Sequence, residues 1–231
     1  SHGSWSGFTE CGGSQCGGVL GAGKSGEIGS MNKNEDKWDR LLQIRTTGRD
    51  DTGADQYRYP YEPTPYPVLE RLANSGYIRK GNTLLDYGCG KGRVDFFLSW
   101  QLRCRTIGVE YDERIYDKAV ENQKTAVSAE RTTFKLTDAE HFAVPESVDR
   151  IYFFNPFSLE LLRKVFGRIL ESWYGAPRKI LFFFYYPSDE YISYLMTVDE
   201  LDFLDEIDCR DLFPGDDPRE RIIIFACGGE V

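Results

Sequence analysis

Beyond Lys80 the sequence alternates between short apolar segments and stretches of helical length, and this alternation constrains the fold more than any other feature. The apolar segments predict seven strands, at 83–87, 106–110, 132–136, 150–154, 180–186, 203–208 and 222–226. Helices are predicted between them, most clearly at 113–127 and 159–173. Strands that alternate with helices form crossover units on a mostly parallel sheet. The sequence therefore predicts an α/β fold with a doubly wound, mostly parallel, seven-stranded sheet.

The last two predicted strands have no helix between them. Their connection contains Leu-Phe-Pro-Gly-Asp-Asp-Pro-Arg at 212–219, which is rich in turn-forming residues and too short for a crossover helix. Strands joined by such a connection pair antiparallel. We therefore expect an antiparallel C-terminal edge strand.

The first 80 residues divide into two parts. Residues 1–30 contain ten glycines and six serines, and this composition buries too little apolar surface to order a chain. We interpret them as a flexible leader added ahead of a native start at Met31. Residues 31–80 predict an N-terminal cap, with a short helix from 32 to about 48, a Tyr/Pro-rich stretch at 57–67 and a second helix that Gly76 ends. The main domain then covers 81–231.

The leader contains a formal match to a phosphate-binding loop, Gly-Val-Leu-Gly-Ala-Gly-Lys-Ser at 18–25. A working loop of this kind needs a buried strand before it and a helix after it, because the helix N-terminus and fixed backbone amides hold the phosphates. The flanking residues here are CGGSQCGG and GEIGS. We therefore expect no nucleotide binding at this match.

The charge balance bears on the partners. The chain has 28 basic and 37 acidic residues and a net charge of −9, so it lacks the overall basic footprint of a protein that binds a phosphate backbone. Nucleic acid is disfavoured as a partner, although a local basic face that includes Lys91 and Arg93 keeps RNA open. The longest apolar run, at 180–186, is far shorter than the roughly 18 residues of a membrane span. We expect no membrane association.

The cysteines indicate the compartment. There are six, but Cys104 and Cys227 lie in apolar strand-like runs and Cys89 lies in a glycine-rich loop. These positions favour buried thiols over a disulfide framework. We expect a reducing, cytoplasmic location.

The segment from Leu84 to Arg93 reads Leu-Leu-Asp-Tyr-Gly-Cys-Gly-Lys-Gly-Arg. A strand ends at an acid, and three glycines at alternate positions then let the backbone bend sharply against a ligand before a helix begins. The alternative is a plain tight turn. The order of strand, loop and helix favours ligand binding.

This loop resembles motif I of class I S-adenosylmethionine-dependent methyltransferases. The third glycine arrives one residue earlier than in the G-x-G-x-x-G loop of nicotinamide and flavin enzymes, and an acid precedes the first. In the methyltransferase family the loop packs against the amino-acid and ribose parts of the cofactor, and the acid helps hold the loop and the methionine ammonium. The resemblance covers 57–231. It implies S-adenosylmethionine as cofactor, bound beside Asp86, Gly88, Cys89, Gly90 and Gly92.

The second predicted strand ends at Glu110, followed by Tyr111. An acid at this place can accept hydrogen bonds from two ribose hydroxyls, and Tyr111 can lie on the adenine face. The alternative for Glu110 is a solvated strand end. After the third strand come Asp138 and Ala139. The resemblance implies that Asp138 accepts a hydrogen bond from the adenine amine and that Ala139 lies beside the base, whereas Asp138 as a helix N-cap is the equal alternative.

The fourth strand leads into Asn155-Pro156-Phe157. These residues resemble the [ND]-P-P-[YFW] motif of methyltransferases that act on amino or amide nitrogens, with one proline missing. A side-chain oxygen and a backbone carbonyl can accept both hydrogens of an amino group and aim its lone pair at the methyl carbon, while Phe157 offers a flat surface. Asn155 is neutral, so it orients the acceptor and does not act as a base. The alternative is an ordinary strand-to-helix turn.

The cap offers further candidates. Thr64-Pro65 and the helix that follows resemble the segment that precedes the glycine loop in amino-methyltransferases and closes over the methionine end. The surrounding tyrosines offer electron-rich faces that attract a sulfonium cation; they are Tyr57, Tyr59, Tyr61 and Tyr66. The alternative is an aromatic layer that only covers the sheet.

These observations predict a methyltransferase that acts on an amino or amide nitrogen of a small molecule, protein or RNA. No metal is required for the direct displacement. Two alternatives stay open: methylation of oxygen or carbon, and a regulatory subunit that binds S-adenosylmethionine without turnover. The identity of the acceptor and the oligomeric state are not set by the sequence.

Overall fold

The residues that the structure describes form a seven-stranded sheet with helices on both faces. The structure, a computed structural model, describes residues 33–49, 54–55, 57–58 and 61–229. The predicted leader, its phosphate-loop match and Tyr59 lie outside these ranges. None of the helices within them has the length and apolar character needed to cross a lipid bilayer.

The strands lie close to their predicted positions. They are β1 (Thr83–Tyr87), β2 (Arg105–Glu110), β3 (Thr132–Leu136), β4 (Arg150–Phe153), β5 (Ile180–Tyr185), β6 (Leu201–Asp208) and β7 (Arg221–Cys227). Their order across the sheet is β3-β2-β1-β4-β5-β7-β6. β1 to β5 are parallel, and β7 pairs antiparallel with both β5 and β6. The mostly parallel sheet and the antiparallel pairing of the last two strands are confirmed. β7 lies one place in from the edge, and β6 forms the edge itself.

The helices are α1 (33–42), α2 (Tyr66–Asn74), α3 (Arg93–Leu102), α4 (Glu113–Gln123), α5 (Leu159–Gly175) and α6 (Asp189–Leu195). α1 ends before the predicted boundary because Gln43 adopts a left-handed φ of 57°, a common helix stop. α4 ends at Gln123 and not at 127. There the chain turns to the N-terminal cap, where the amide N–H of Val127 donates to the carbonyl of Leu42 at 3.2 Å.

Two hydrophobic cores lie on opposite faces of the sheet. Successive side chains of a strand point to opposite faces, and β5 shows this directly. Leu181 and Phe183 pack in the core with α2 and α3, whereas Phe182 and Phe184 pack with α5. All five residues of β1 are buried, as expected for a central strand covered on both faces. The sheet therefore holds the ends of β1, β2 and β4 rigidly at one edge.

Arg93 joins the N-terminal cap to this sheet. Its guanidinium is 1% exposed, forms an ion pair with Glu35, and lies 4.2 Å over the ring of Tyr66. It also donates to Thr46 Oγ1 at 2.7 Å and to the carbonyl of Thr64 at 3.1 Å. The predicted basic face around Lys91 and Arg93 is therefore wrong for Arg93. Its charge is neutralised and buried beneath the cap, so it is not available to RNA.

Candidate active site

The candidate site lies at the carboxyl ends of β1, β2 and β4, where the strand order reverses direction between β1 and β4. Crevices at such switch points are where open α/β sheets bind ligands. The turn after β1 folds back on β2, because the amides of Gly88 and Cys89 both donate to the carbonyl of Val109, at 2.9 and 3.0 Å. α3 begins directly afterwards at Gly92, its N-cap. The strand, glycine turn and helix predicted from the sequence are present in that order.

Two neighbouring cavities open at this edge. The main cavity, of about 270 Å³, is lined by seven of the predicted site residues: Gly88, Glu110, Tyr111, Ala139, Asn155, Pro156 and Phe157. The small cavity, of about 20 Å³, is lined by Thr64, Asp86 and Cys89 as well as Gly88. The fold thus brings together residues from five separate segments of the chain.

Four predicted residues line neither cavity. Pro65 precedes α2 as its N-cap, and Gly92 is packed against the rings of Phe96 and Phe134. Gly90 adopts a left-handed φ of 56° and is covered by the ring of Tyr61, which a β-carbon at this position would overlap. Asp138 is covered by Arg58.

The carboxylate of Glu110 is held by backbone amides. It is 7% exposed and accepts from Gly90 N at 3.2 Å and from Tyr111 N and Asp112 N, both at 3.0 Å. Burial raises the pKa of Glu110, while these amides oppose the shift by stabilising the ionised form. The structure therefore holds an acceptor rigidly at the end of β2, between the glycine turn and the main cavity.

Asp86 lies beside a second buried acid, Asp95 of α3. The Oδ2 atom of Asp86 and both carboxyl oxygens of Asp95 have no hydrogen-bond partner among the described residues. Burial raises the pKa of Asp86 to about 7. Burial and the neighbouring Asp86 also raise the pKa of Asp95 well above its ordinary value. Two ionised carboxyls cannot bond to one another, so a proton on one of them is what satisfies the pair.

We expect Asp95→Asn to stabilise the protein at pH 8 and to have little effect near pH 4. The folded acids hold a proton that the unfolded acids release above about pH 4, so wild-type stability falls as the pH rises through about 7. Asparagine keeps the shape of the side chain and stays neutral. Its melting temperature should exceed that of the wild type by roughly 5 °C at pH 8, about 2 kcal/mol in stability.

The matched control is Asp202→Asn, which neutralises an exposed acid on the edge strand β6. It should show no comparable pH-dependent gain. A lower melting temperature of Asp95→Asn at pH 8, or the same gain at both pH values, would contradict the assignment of a shared proton.

Asp138 caps a short turn and binds an arginine. Its Oδ1 atom accepts from Glu140 N at 3.4 Å, so the N-cap predicted as one alternative is present. Its Oδ2 atom lies 2.5 Å from Nη2 of Arg58, whose guanidinium carbon is 4.1 Å from the centre of the Tyr111 ring. The two residues expected beside adenine therefore share one partner, Arg58.

Asn155 stands at the wall of the main cavity in a strained conformation. Its φ is 43°, in the left-handed region that non-glycine residues rarely adopt. Its Oδ1 atom is buried and finds no donor in the part of the chain that the structure describes. Strain and an unpaired buried acceptor both cost free energy, and such costs are concentrated at functional sites. The structure thus leaves the acceptor capacity of a buried amide oxygen unused, in a residue that lines the main cavity.

Phe157 differs from the prediction. Its ring was expected to offer a flat surface to the acceptor, but the residue is 4% exposed and the ring packs edge-on against Tyr87, with centroids 5.9 Å apart. The hydroxyl of Tyr191 fixes the backbone by accepting from Phe157 N at 3.0 Å and donating to Phe157 O. This clamp turns the side chain into the core below the site.

Thr64 closes the small cavity from the side of the cap. Its hydroxyl lies 2.6 Å from the hydroxyl of Tyr152 on β4, and its carbonyl accepts from Arg93. The cap segment is thereby attached to the sheet directly beside Asp86. Thr64 therefore lies beside the glycine turn, as the sequence predicted.

Several residues that line the main cavity were not predicted as site residues, among them Phe154, Tyr186 and Arg219. Arg219 lies 4.2 Å over the ring of Tyr186 and donates to the carbonyls of Pro187 and Tyr186, at 3.3 and 3.2 Å. Phe154 and Tyr186 are the last residues of the predicted strands at 150–154 and 180–186, and they directly follow β4 and β5. Their position at carboxyl strand ends was the signal that could have found them. Arg219, from the turn before β7, carried no such signal.

The comparisons with known proteins agree with this geometry. Residues 84–175 match the family model described as a methyltransferase domain. The fold is similar to an RNA methyltransferase from Salinibacter ruber in complex with S-adenosylhomocysteine, with 18% identity, a TM-score of 0.50, and coverage of 74% of this chain and 96% of the other. No curated protein sequence matches the chain.

Two further solved structures share the fold. A TehB-like S-adenosylmethionine-dependent methyltransferase from Corynebacterium glutamicum has 17% identity and a TM-score of 0.50, with coverage of 87% of this chain and 99% of the other. A protein from Streptococcus pneumoniae described as a putative tRNA (m1A22) methyltransferase has 16% identity and a TM-score of 0.54, with coverage of 74% and 72%.

Residues 84–175 therefore match a methyltransferase domain, and the fold is that of the solved methyltransferases above. The cofactor that the glycine turn predicted is S-adenosylmethionine. The residues present fit this molecule. The Asp86–Asp95 pair keeps one negative charge when it holds a single proton, which suits a cationic group, and Glu110 is an acceptor for hydroxyls. The turn at Gly88 and Gly90 has no side chains to hold a ligand away from the backbone.

Proposed function

We propose that this protein transfers the methyl group of S-adenosylmethionine to the nitrogen of a planar amino or amide group. The observation that supports this most is Asn155 at the end of β4, whose buried Oδ1 atom is left without a donor beside the main cavity. An amino group can supply that donor. The predicted motif uses two acceptors, this side-chain oxygen and a backbone carbonyl, and an amino group has a hydrogen for each, whereas a hydroxyl has only one.

The chain's own residues orient the acceptor. Asn155 accepts a hydrogen from the amino group, and this fixes the direction of the nitrogen lone pair. The strained backbone at Asn155 is held by Pro156, which packs against Gly88, and by the clamp of Tyr191 on Phe157. A rigidly positioned acceptor gains rate because alignment is established before the reaction.

When bound, S-adenosylmethionine supplies an electrophilic methyl group on a positively charged sulfur. The acceptor nitrogen donates its electron pair to the methyl carbon, the carbon–sulfur bond breaks, and its electron pair stays on sulfur. The products are the methylated acceptor and neutral S-adenosylhomocysteine, and the surplus proton on nitrogen is lost to water. Asn155 is neutral and does not take that proton.

The aromatic lining near Asn155 favours a planar acceptor. Phe154 and Tyr186 contribute aromatic surface to the main cavity that Asn155 also lines. We propose a planar amine or amide, presented by a small molecule, a protein or an RNA base. The net charge of −9 disfavours RNA among these.

We place this reaction in a reducing compartment, the cytoplasm. The support is that Cys89, Cys104, Cys209 and Cys227 are all buried free thiols. Burial raises the pKa of Cys104 and Cys227 to about 11, which keeps both in the unreactive thiol form.

The test is the position of the methyl group in the product. Radiolabelled S-adenosylmethionine is incubated with the protein and panels of planar amines, amides and matched alcohols, and the labelled product is analysed by mass spectrometry and NMR. We expect the label on nitrogen. A label on oxygen or carbon would overturn nitrogen methylation, and tight cofactor binding with no transfer to any panel would favour a regulatory subunit.

A further inference from the structure

The guanidinium of Arg58 lies on the two side chains that are expected to bind adenine. It is 4.1 Å from the centre of the Tyr111 ring, and its Nη2 atom is 2.5 Å from Asp138 Oδ2. Its Nη1 atom is 3.2 Å from Asp55. The side chain is only 17% exposed. Arg58 is therefore fixed at this place by one ring and two carboxylates.

A guanidinium can replace an adenine in these contacts. Both groups are flat and π-delocalised, so both can lie on the face of a tyrosine. Both have an NH₂ group in their plane that can donate a hydrogen bond to a carboxylate. The guanidinium is in addition charged, so its bond to Asp138 is the stronger of the two. An adenine that used Tyr111 and Asp138 would compete with Arg58 for the same face and the same oxygen.

Tyr61 covers the other end of the crevice. Its ring lies directly on Gly90, so closely that a β-carbon on Gly90 would overlap it. The ammonium of Lys91 is 5.6 Å from the ring centre on the same turn. Tyr61 also lines both cavities. The backbone surface of Gly90 is therefore occupied by a side chain of the same molecule.

We propose that Arg58 and Tyr61 act as an internal substitute for the cofactor, with Arg58 at the adenine end and Tyr61 on the glycine turn. Binding of S-adenosylmethionine displaces both side chains. This inference rests on the proposed function, because it takes the same crevice as the cofactor site. The affinity measured for the wild-type protein is then reduced by the fraction of molecules in which the two side chains occupy the site.

The displacement is also linked to the acceptor loop. Arg58 forms an isolated β-bridge with Phe157. The carbonyl of Tyr57 accepts from the amide of Ser158 at 2.8 Å. These contacts join the segment of Arg58 to the loop that carries Asn155. The segment that carries Arg58 is therefore attached to the acceptor loop through its backbone.

The experiment is isothermal titration calorimetry of the full chain with S-adenosylhomocysteine. We expect Arg58→Ala to bind it about tenfold more tightly than the wild type, because the competing guanidinium is gone. The affinity of Arg58→Ala for adenosine should increase by a similar factor, since Arg58 occupies only the adenine end. The matched control is Arg163→Ala, which removes another arginine that lies over a tyrosine, 4.8 Å from the ring of Tyr194 and away from the site. It should leave both affinities unchanged.

Weaker or unchanged binding by Arg58→Ala would overturn the proposal, since Arg58 would then be a wall of the cofactor site or irrelevant to it. Arg58→Gln, which keeps the length and flatness of the side chain but not its charge, is the second variant if the alanine variant does not fold, and it should also bind more tightly. Failure of the wild type and both variants to bind S-adenosylhomocysteine would remove the proposed function as well. If the wild type binds S-adenosylhomocysteine and the Arg58 variants bind it no more tightly, only this inference is overturned.

Discussion

Gly90→Val is expected to reduce the affinity for S-adenosylhomocysteine by about 100-fold or more. The φ of 56° at Gly90 is in the left-handed region, which costs a residue with a β-carbon roughly 1–2 kcal/mol. The larger effect is steric. Any β-carbon at Gly90 occupies the surface that Tyr61 now covers, and this is the surface against which the ligand must lie.

The measurement is calorimetric titration with S-adenosylhomocysteine, together with melting curves that show each variant to be folded. Gly81→Val is the matched control, because Gly81 has no positive φ and no atom within 4 Å of a built β-carbon. Gly90→Ala gives a milder version of the same change. Wild-type affinity in a folded Gly90→Val protein would mean that the ligand does not approach this turn.

Asn155→Ala is expected to reduce methyl transfer by about 100-fold, the effect of losing one positioned hydrogen-bonding group in an active site. The affinity for S-adenosylhomocysteine should stay within a factor of about two, because Asn155 orients the acceptor and the cofactor is held elsewhere. The loss should be in kcat with the acceptor that product analysis identifies.

Asn155→Gly separates the side chain from the backbone strain. Glycine adopts the φ of 43° without cost, so this variant should be at least as stable as Asn155→Ala but equally slow. Asn74→Ala, at the exposed end of α2, is the control for a surface asparagine. Turnover at the wild-type rate in Asn155→Gly would exclude the amide oxygen from the reaction.

The sheet could be predicted because its signals are local. β1, β4 and β5 are short, mostly apolar runs, and the glycine turn directly follows β1. Backbone geometry then requires that the carboxyl ends of parallel strands meet at one edge. That Glu110, Ala139 and Asn155 lie at the same cavity could therefore be predicted without any information on tertiary contacts.

The contacts of the N-terminal cap could not be predicted in this way. Arg93 follows the glycine turn directly after Lys91 and Gly92, and its charge suggested a basic surface. In the structure it is buried by contacts with Glu35 and Thr46, which lie far before it in the sequence. Arg58 meets Asp138 across 80 residues. Such pairs depend on how the cap is placed over the sheet, and no local pattern records that placement.

Phe157 shows the same limit at a single residue. Its position in an Asn-Pro-Phe sequence suggested a ring in the site, but the hydroxyl of Tyr191, 34 residues further on, fixes its backbone. Aromatic surface at the cavity comes from Phe154 and Tyr186. The motif therefore identified a segment that lines the cavity. It could not predict the orientation of Phe157, because that depends on a contact with Tyr191, which lies outside the motif.

If the crevice after Asp86 binds the adenosyl cofactor, a crystal structure of the protein grown with S-adenosylhomocysteine will show the ligand there. We expect the sugar hydroxyls on the carboxylate of Glu110, the base at Tyr111 and Asp138, and Arg58 and Tyr61 moved from their present positions. An empty crevice at saturating ligand, or the ligand bound at another place on the molecule, would contradict the assignment.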